Sequence, residues 1–228
     1  MPDNLLQLRG LRYAYATPDG APRPVLDLPS FDLAPGAQVA MEGSSGSGKT
    51  TLLNLIAGLL RAEPGMVQLN GQDLGSLSES RRDALRGRLI GLVQQTFNLL
   101  QGLSALENVV LAQRLGGAHD PARAHALLER VGLGGRLHDL PGRMSVGQQQ
   151  RVAVARALAC QPALILADEP TGNLDQATGR EVLALLRGAA KESGAALLLV
   201  SHDPAVLDQF DQRLRLNTLN LAAQGGRP

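Results

Sequence analysis

Gly43-Ser-Ser-Gly-Ser-Gly-Lys-Thr50 is the stretch that decides the fold of this chain. It satisfies every fixed position of the phosphate-binding pattern G-x-x-x-x-G-K-[ST]. An apolar strand pattern at Gln38–Glu42 precedes it, and helix-periodic apolar residues follow it from Leu52 to Leu60. Glycines let successive backbone N–H groups surround phosphate oxygens, and the positive end of a following helix faces the same anion. The stretch therefore predicts a strand, a phosphate loop and a helix that begins near Lys49.

The predicted phosphate loop carries side chains suited to nucleotide and metal binding. Lys49 is a compact ammonium that can reach the terminal phosphates, and Thr50 offers a hydroxyl to Mg²⁺. Of the 22 basic residues only Lys49 and Lys191 are lysines, which suggests that lysine occurs where arginine would not serve. The residues predicted to contact the nucleotide are Gly43, Ser44, Ser45, Gly46, Ser47, Gly48, Lys49, Thr50 and Thr51.

Two acids end a second apolar strand pattern that runs from Leu164 to Asp168 and Glu169. Adjacent side chains of a strand point to opposite faces, so we expect the two acids to do different jobs. Asp168 is expected to hold the Mg²⁺ shell, and Glu169 to polarise a water in line with the γ-phosphate. A solvated acidic turn before Pro170 is the alternative.

His202 stands at the end of a third apolar stretch, Leu197–Ser201. Ligands of open α/β sheets bind at the carboxyl ends of the strands, so this histidine is placed to touch the γ-phosphate or the attacking water. The alternative is a histidine beside a helix cap, because Asp203-Pro204 has the pattern of a helix start. The remaining histidines, His119, His125 and His138, are predicted to lie on the surface.

The first 75 residues predict an antiparallel β layer. Residues 5–15 alternate imperfectly, as in strands with a bulge at Gly10. A strand pair is expected around Leu26, Leu28, Phe31 and Leu33. The turn signals are Asp19-Gly20, Pro35-Gly36 and the hairpin tip Asn70-Gly71.

Residues 104–160 have helical periodicity. Ser104 and Glu107 form a capping-box pattern at the start of a helix that reaches about Leu115, and Pro121 begins the next helix. A third helix is expected over Gln148–Cys160.

Two apolar runs, Ala163–Ala167 and Ala195–Val200, flank a helical stretch at Gln176–Lys191 and predict parallel strands buried on both faces. The expected fold class is α/β, a P-loop ATPase core with a parallel sheet, an N-terminal antiparallel β layer and an inserted helical subdomain. We expect one domain over residues 1–228, with its core at about 1–94 and 159–228 and the helical subdomain at about 95–158.

Composition excludes several classes of function. A net charge of +1 and 2% aromatic residues argue against a nucleic-acid partner. The single cysteine, Cys160, excludes an intramolecular disulfide and Cys-rich metal sites, and is expected to be a small buried residue. No apolar run approaches the roughly 18 residues of a spanning helix, and the N-terminus lacks the basic region of a secretory signal. The chain is therefore expected in the cytoplasm.

Met144-Ser-Val-Gly-Gln-Gln-Gln-Arg151 resembles the L-S-G-G-Q signature of the ATP-binding-cassette (ABC) ATPases and precedes Asp168, as in that family. The segment departs from the signature at Met144, which replaces leucine, and at Val146, which replaces the first glycine. The β-branched Val146 is expected to crowd the approach to ATP.

The resemblance implies roles for further residues. Gln95 matches the glutamine that senses Mg²⁺ and the γ-phosphate, with Gln94 as the alternative. Tyr15 matches the aromatic residue that stacks on adenine, with Tyr13 as the alternative. His202 matches the switch histidine of the family. The catalytic set implied is Glu169, His202, Lys49 and Gln95, the metal set is Thr50, Gln95 and Asp168, and the contacts to ATP on a second subunit are Ser145, Gly147, Gln148 and Asp175.

The resemblance also implies a function. An ATPase of this family binds ATP and Mg²⁺ in a head-to-tail dimer, here expected to be a homodimer, and drives a separate membrane permease from the cytoplasmic face of the inner membrane. Residues 95–115 are the expected docking surface. Gly172-Asn-Leu-Asp175 resembles the lipoprotein-release and macrolide-export subgroup, whereas importers more often carry Ser-Ala-Leu-Asp there. A soluble, non-transport ABC ATPase of the iron–sulfur-assembly type stays open as the alternative.

Overall fold

The strands form two sheets in the computed structural model, which describes residues 4–18 and 20–223. The antiparallel sheet has the order β2-β1-β4-β5, and the parallel sheet has the order β6-β7-β8-β3-β9. The strands are β1 (Leu6–Ala16), β2 (Pro22–Leu33), β3 (Gln38–Glu42), β4 (Val67–Leu69), β5 (Gln72–Asp73), β6 (Ile90–Val93), β7 (Leu164–Asp168), β8 (Ala196–Ser201) and β9 (Gln212–Arg215).

The helices connect these strands, and three of them lie between β6 and β7 in the chain. They are α1 (Lys49–Ile56), α2 (Glu79–Leu89), α3 (Ala105–Leu115), α4 (Pro121–Arg130), α5 (Val146–Ala157), α6 (Gln176–Ser193), α7 (Pro204–Leu207) and α8 (Leu216–Leu219). Both fold-class expectations, the parallel sheet and the antiparallel layer, are confirmed. Among the described residues, none of the helices has the length and apolar character that crossing a bilayer requires.

The parallel sheet is buried on both faces, as its apolar strands predict. In β8, Leu197 and Leu199 enter the core formed with α3–α6, whereas Leu198 and Val200 enter the core formed with α1 and the antiparallel sheet. All four side chains are fully buried. The carboxyl ends of β3, β7 and β8, which are neighbours in the sheet, are therefore held at one edge by packing on both sides.

Two predictions in the antiparallel layer are wrong in detail. The expected strand pair around Leu26–Leu33 is the single strand β2. The pairing of β1 with β2 keeps one register on both sides of Gly10, and the shift falls between Tyr13 and Ala14, because β2 has an extra residue, Val25, opposite that point. The hairpin tip at Asn70-Gly71 is confirmed, with φ of 48° and 76°. Asp19 of the Asp19-Gly20 turn lies outside the described residues.

The capping residues determine where the helices begin and end. The capping box of Ser104 and Glu107 is present at the start of α3, as predicted. Helix α5 begins at Val146 rather than Gln148, because the Ser145 side chain accepts a hydrogen bond from the Gln148 backbone N–H and caps it. Helix α1 ends at Ile56, before Gly58 with φ of 66°, so Leu59 and Leu60 lie beyond it.

Cys160 is only half-buried, which corrects the expectation of a buried residue. Its thiol donates a hydrogen bond to the Ala112 carbonyl at 3.3 Å. Burial raises the pKa of the Cys160 thiol.

Gly91 in β6 tests how tightly α5 packs on the parallel sheet. A Cβ at this position would overlap the carbonyl oxygen of Ala157 at the end of α5. We expect Gly91→Ala to lower the free energy of unfolding by about 1–3 kcal/mol, the usual cost of overpacking. The control is Gly102→Ala, since a Cβ there meets no heavy atom within 4 Å. Urea denaturation measures both variants, and equal stability of the two would contradict this packing.

Candidate functional site

The predicted phosphate loop lies between β3 and α1, and its glycines leave room for the lysine. Gly48 caps α1 with φ of 95°, and a Cβ there would lie 2.8 Å from Leu26. A Cβ at Gly43 would lie 2.5 Å from the Ser47 hydroxyl and 3.1 Å from the Lys49 side chain. The Ser47 hydroxyl is buried and has no hydrogen-bond partner within the described part of the chain. An oxygen-rich ligand held by the loop would satisfy such a group.

Lys49 is buried and connects this loop to the acid after β7. Its ammonium donates to the carbonyls of Gly43, at 2.5 Å, and Ser44, at 3.3 Å. It also lies 3.2 Å from Oε1 of Glu169, and both side chains of this ion pair are only 9% exposed. Removing one member of such a pair leaves a buried charge without compensation.

Glu169 is the most heavily bonded acid of the site. Its Oε1 lies 2.6 Å from Nδ1 of His202, and its Oε2 accepts a hydrogen bond from the Ser201 hydroxyl at 2.9 Å. Burial raises the pKa of this carboxyl, but the bonds from His202, Ser201 and Lys49 outweigh it, so the net pKa is lowered. Its φ of 45° is unusual for a residue with a side chain and indicates local strain in the backbone.

Asp168 faces a different partner from Glu169, as strand alternation predicts. Its Oδ2 accepts a hydrogen bond from the Thr50 hydroxyl at 2.7 Å. Burial raises the pKa of Asp168, the Thr50 bond lowers it, the charge of Glu169 raises it, and the net pKa is raised. Together the Thr50 and Asp168 side chains offer hard oxygen ligands of the kind that Mg²⁺ prefers.

These groups line one cleft of about 1000 Å³. Tyr15 and Gln95 belong to its lining, whereas their alternatives Tyr13 and Gln94 do not. Tyr13 packs against the core and supports Tyr15 edge-on, with ring centroids 5.1 Å apart. The predicted residues that line this cleft are Tyr15, Ser44, Ser45, Gly46, Gly48, Lys49, Thr50, Thr51, Gln95, Asp168, Glu169 and His202.

The signature residues line a second cleft of about 570 Å³, which includes Ser145, Gly147, Gln148 and Asp175. Ser145 and Gln148 form a capping box at the start of α5, with the Ser145 N–H donating to Gln148 Oε1 at 2.9 Å. Asp175 caps α6 through the N–H groups of Ala177 and Thr178. Hydrogen bonds from Thr178 lower the pKa of Asp175. One chain thus presents two separate clefts.

Sequence reasoning missed two contributors to the first cleft. Ser201 is fully buried, holds Glu169 and accepts a hydrogen bond from the Asp203 N–H at 3.1 Å. Its position just before His202 at a strand end was the available signal. Arg23 lines the cleft from β2, and no sequence pattern marks it. The histidines His119, His125 and His138 are exposed, as predicted.

Comparison with known proteins matches this chain to one family. The sequence model of the family described as ABC transporter matches residues 26–172. The chain is 46% identical over 206 residues to the lipoprotein-releasing system ATP-binding protein LolD of Pseudomonas syringae pv. tomato, covering 89% of this chain and 88% of that protein. LolD of Chromohalobacter salexigens is 46% identical over 196 residues, 85% of this chain and 83% of its own length.

A longer relative and a solved structure agree with this match. The macrolide export ATP-binding/permease protein MacB of Syntrophobacter fumaroxidans is 47% identical over 89% of this chain, but the chain spans only 29% of that protein. The dimeric post-hydrolysis structure of the ATP-binding cassette MJ0796 bound to ADP and Pi superposes with a TM-score of 0.85 at 33% identity, covering 96% of this chain and 95% of that one.

The lowered pKa of Glu169 predicts a specific pH dependence of stability. A carboxyl whose folded pKa lies below its unfolded value, about 4.3, stabilises the fold above that pH and loses this contribution as the pH falls through the folded pKa. We therefore expect the stability advantage of the wild type over Glu169→Gln to decrease as the pH falls below about 4.3. Urea denaturation across pH measures this difference.

The control for this measurement is Glu181→Gln, which removes an exposed carboxylate paired with Arg151. Surface ion pairs contribute little, so its pH dependence should be much weaker. A wild-type advantage over Glu169→Gln that stays level or grows in acid would mean that the bonds around Glu169 do not favour its ionised form.

Proposed function

Since this chain belongs to the ABC transporter family, we propose that it is the ATP-hydrolysing subunit that drives a separate permease of the lipoprotein-release or macrolide-export type. The observation that carries this proposal is the buried Lys49–Glu169 ion pair, with the exposed His202 bonded to Glu169 and the Thr50–Asp168 contact beside it. The LolD and MacB relatives favour transport over the iron–sulfur-assembly alternative.

The first cleft binds ATP by contacts at both ends of the nucleotide. The exposed face of Tyr15 stacks on the adenine, and the backbone of residues 43–48 surrounds the phosphates. Lys49 turns from Glu169 to the terminal phosphates, because the phosphate charge exceeds that of one carboxylate. Thr50, Asp168 and Gln95 would hold Mg²⁺, which would neutralise charge on the phosphate oxygens.

Glu169 acts as the general base of hydrolysis. Ser201 fixes Oε2 of Glu169, and Oε1, beside His202 Nδ1 at 2.6 Å, accepts a proton from water once Lys49 has turned to the phosphates. The water oxygen bonds to the γ-phosphorus as the bond to the ADP oxygen breaks, and the water proton passes to Glu169. The lowered pKa of Glu169 keeps the carboxylate ionised at neutral pH. His202 steadies the carboxylate and the terminal phosphate from the end of β8.

A second copy of the chain completes each ATP site. Ser145, Gly147, Gln148 and Asp175 line a cleft apart from Lys49, so their nucleotide is the one held by the partner subunit. The start of α5 directs the positive end of its helix dipole at that nucleotide. Two ATP molecules close a head-to-tail homodimer with C2 symmetry, and hydrolysis reopens it. The dimeric MJ0796 structures support this arrangement.

The permease binds on the helical side of the cassette. We infer that residues of about 95–158 form a helical subdomain that Gln95 couples to the nucleotide, and that residues 95–115 dock on the permease. Leu100 and Leu115 are 49% and 73% exposed in this segment. The chain therefore works as a peripheral subunit on the cytoplasmic face of the inner membrane.

Glu169→Gln tests the proposed reaction. Loss of the general base should lower ATP turnover by about 10²–10⁴, because that is the usual weight of such a group. ATP binding, measured by calorimetry, should be retained, since the phosphate loop is intact. Glu181→Gln serves as the matched control and should keep wild-type turnover. Unchanged turnover in Glu169→Gln would remove Glu169 from this role.

Membrane association tests the proposed permease partner. The chain, tagged and expressed at native level, should fractionate with membranes and purify together with a membrane-spanning protein. Leu115→Asp should weaken this association because it places a charge in the docking surface. Leu221→Asp is the control, since Leu221 is also an exposed leucine, 46% accessible, and lies outside residues 95–115. A wild-type chain found wholly in the soluble fraction would favour the iron–sulfur-assembly alternative.

A further inference from the structure

We propose that Gly172 and Asn173 form a seat that positions Gln95 in the phosphate cleft, with Asn173 as the positioning residue. The proposal rests on the proposed function, because Gln95 is there a ligand of Mg²⁺ and the γ-phosphate. Gly172 and Asn173 lie between the acid pair and α6, and the proposed reaction gives neither of them a role.

The first observation is a hydrogen bond between distant parts of the chain. Nδ2 of Asn173 donates to the backbone carbonyl of Gln95 at 2.9 Å, across 78 positions of sequence. Gln95 follows the end of β6 and is exposed, outside any helix or strand. In the part of the chain that the structure describes, no ladder or helical bond therefore holds its backbone, and the contact with Asn173 supplies the fixed point.

The second observation is the space beside the Gln95 side chain. A Cβ at Gly172 would lie 3.1 Å from Nε2 of Gln95, which is tighter than ordinary van der Waals contact. Within residues 4–18 and 20–223, the amide of Gln95 makes no hydrogen bond. Two consecutive residues thus position Gln95. Gly172 leaves room for the Gln95 side-chain amide, and Asn173 holds the Gln95 backbone carbonyl.

The seat is itself tied to Glu169. The Gly172 N–H donates to the Glu169 carbonyl at 3.1 Å and closes a turn. The Pro170 carbonyl inside this turn accepts a hydrogen bond from the fully buried Gln150 of α5 at 2.7 Å. The turn therefore sets the position of Gln95 relative to Glu169, the two groups that must meet the same phosphate.

Asn173 has a rival role that the experiment must separate from this one. It also lines the second cleft, together with Ser145 and Gly147, where it would contact a nucleotide held by a partner subunit. A residue that acts through Gln95 loses its effect when the Gln95 side chain is absent, whereas a direct contact in the second cleft does not.

The test is a double-mutant cycle on ATP turnover with Asn173→Ala and Gln95→Ala. Asn173→Ala alone should lower kcat about threefold to tenfold with little change in KM, the weight of one hydrogen bond. In the Gln95→Ala background it should have no further effect. The same fold-change in both backgrounds, or an unchanged kcat in the single variant, would overturn the proposal. Gln176→Ala, which removes an exposed amide three residues further on, is the control and should match wild type.

Hydrogen–deuterium exchange supplies a readout that does not need turnover. Asn173→Ala should raise exchange of the peptide that contains residues 94–98 while leaving the peptides of β7 and β8 unchanged. If exchange at residues 94–98 were unchanged, the proposal that Asn173 positions Gln95 would be refuted, even if Gln95→Ala proved too slow to assay. Absence of ATP hydrolysis in the wild type would instead refute the proposed function, and this exchange result would still decide the seat.

Discussion

The site depends on one buried ion pair, between the Lys49 ammonium and the Glu169 carboxylate. Each charge is nearly excluded from water, so each requires the other or an equivalent partner. The pair joins the phosphate loop to the end of β7, two segments that share no secondary structure. A phosphate group that draws Lys49 away leaves Glu169 with Ser201 and His202, which keep the carboxylate ionised and oriented. In the proposed function, ATP binding and the release of Glu169 from Lys49 are thus one event.

The parallel sheet makes this ion pair possible. Strands β3, β7 and β8 are neighbours and run in the same direction, so the phosphate loop, the two acids and His202 all leave the sheet at one edge. Each strand is apolar on both faces, and the two cores on either side fix its register. A shift of one residue in β7 would exchange the directions of Asp168 and Glu169 and would separate Thr50 from its acid. Packing far from the cleft therefore sets the chemistry inside it.

Most of this arrangement could be predicted from local sequence. The phosphate loop, the acids after β7 and His202 after β8 each follow an apolar run, and parallel pairing brings such ends together. What could not be predicted depends on contacts between distant residues. Nothing in the pattern reveals that Ser201 bonds to Glu169 or that Asn173 reaches Gln95, since each bond depends on a turn geometry that only the folded chain defines. The register shift at Tyr13 was misplaced at Gly10 for a related reason, because the extra residue lies on the partner strand.

Two adjacent positions of the signature segment, Val146 and Gly147, differ in what constrains them. A Cβ at Gly147 would lie 2.6 Å from the Thr178 side chain of α6, so a larger residue there would force a shift within the chain itself. Val146 begins α5, and its side chain is 45% exposed and lines the second cleft. Any effect of Val146 must arise where α5 meets a second molecule, because its side chain projects into the second cleft and not into the core.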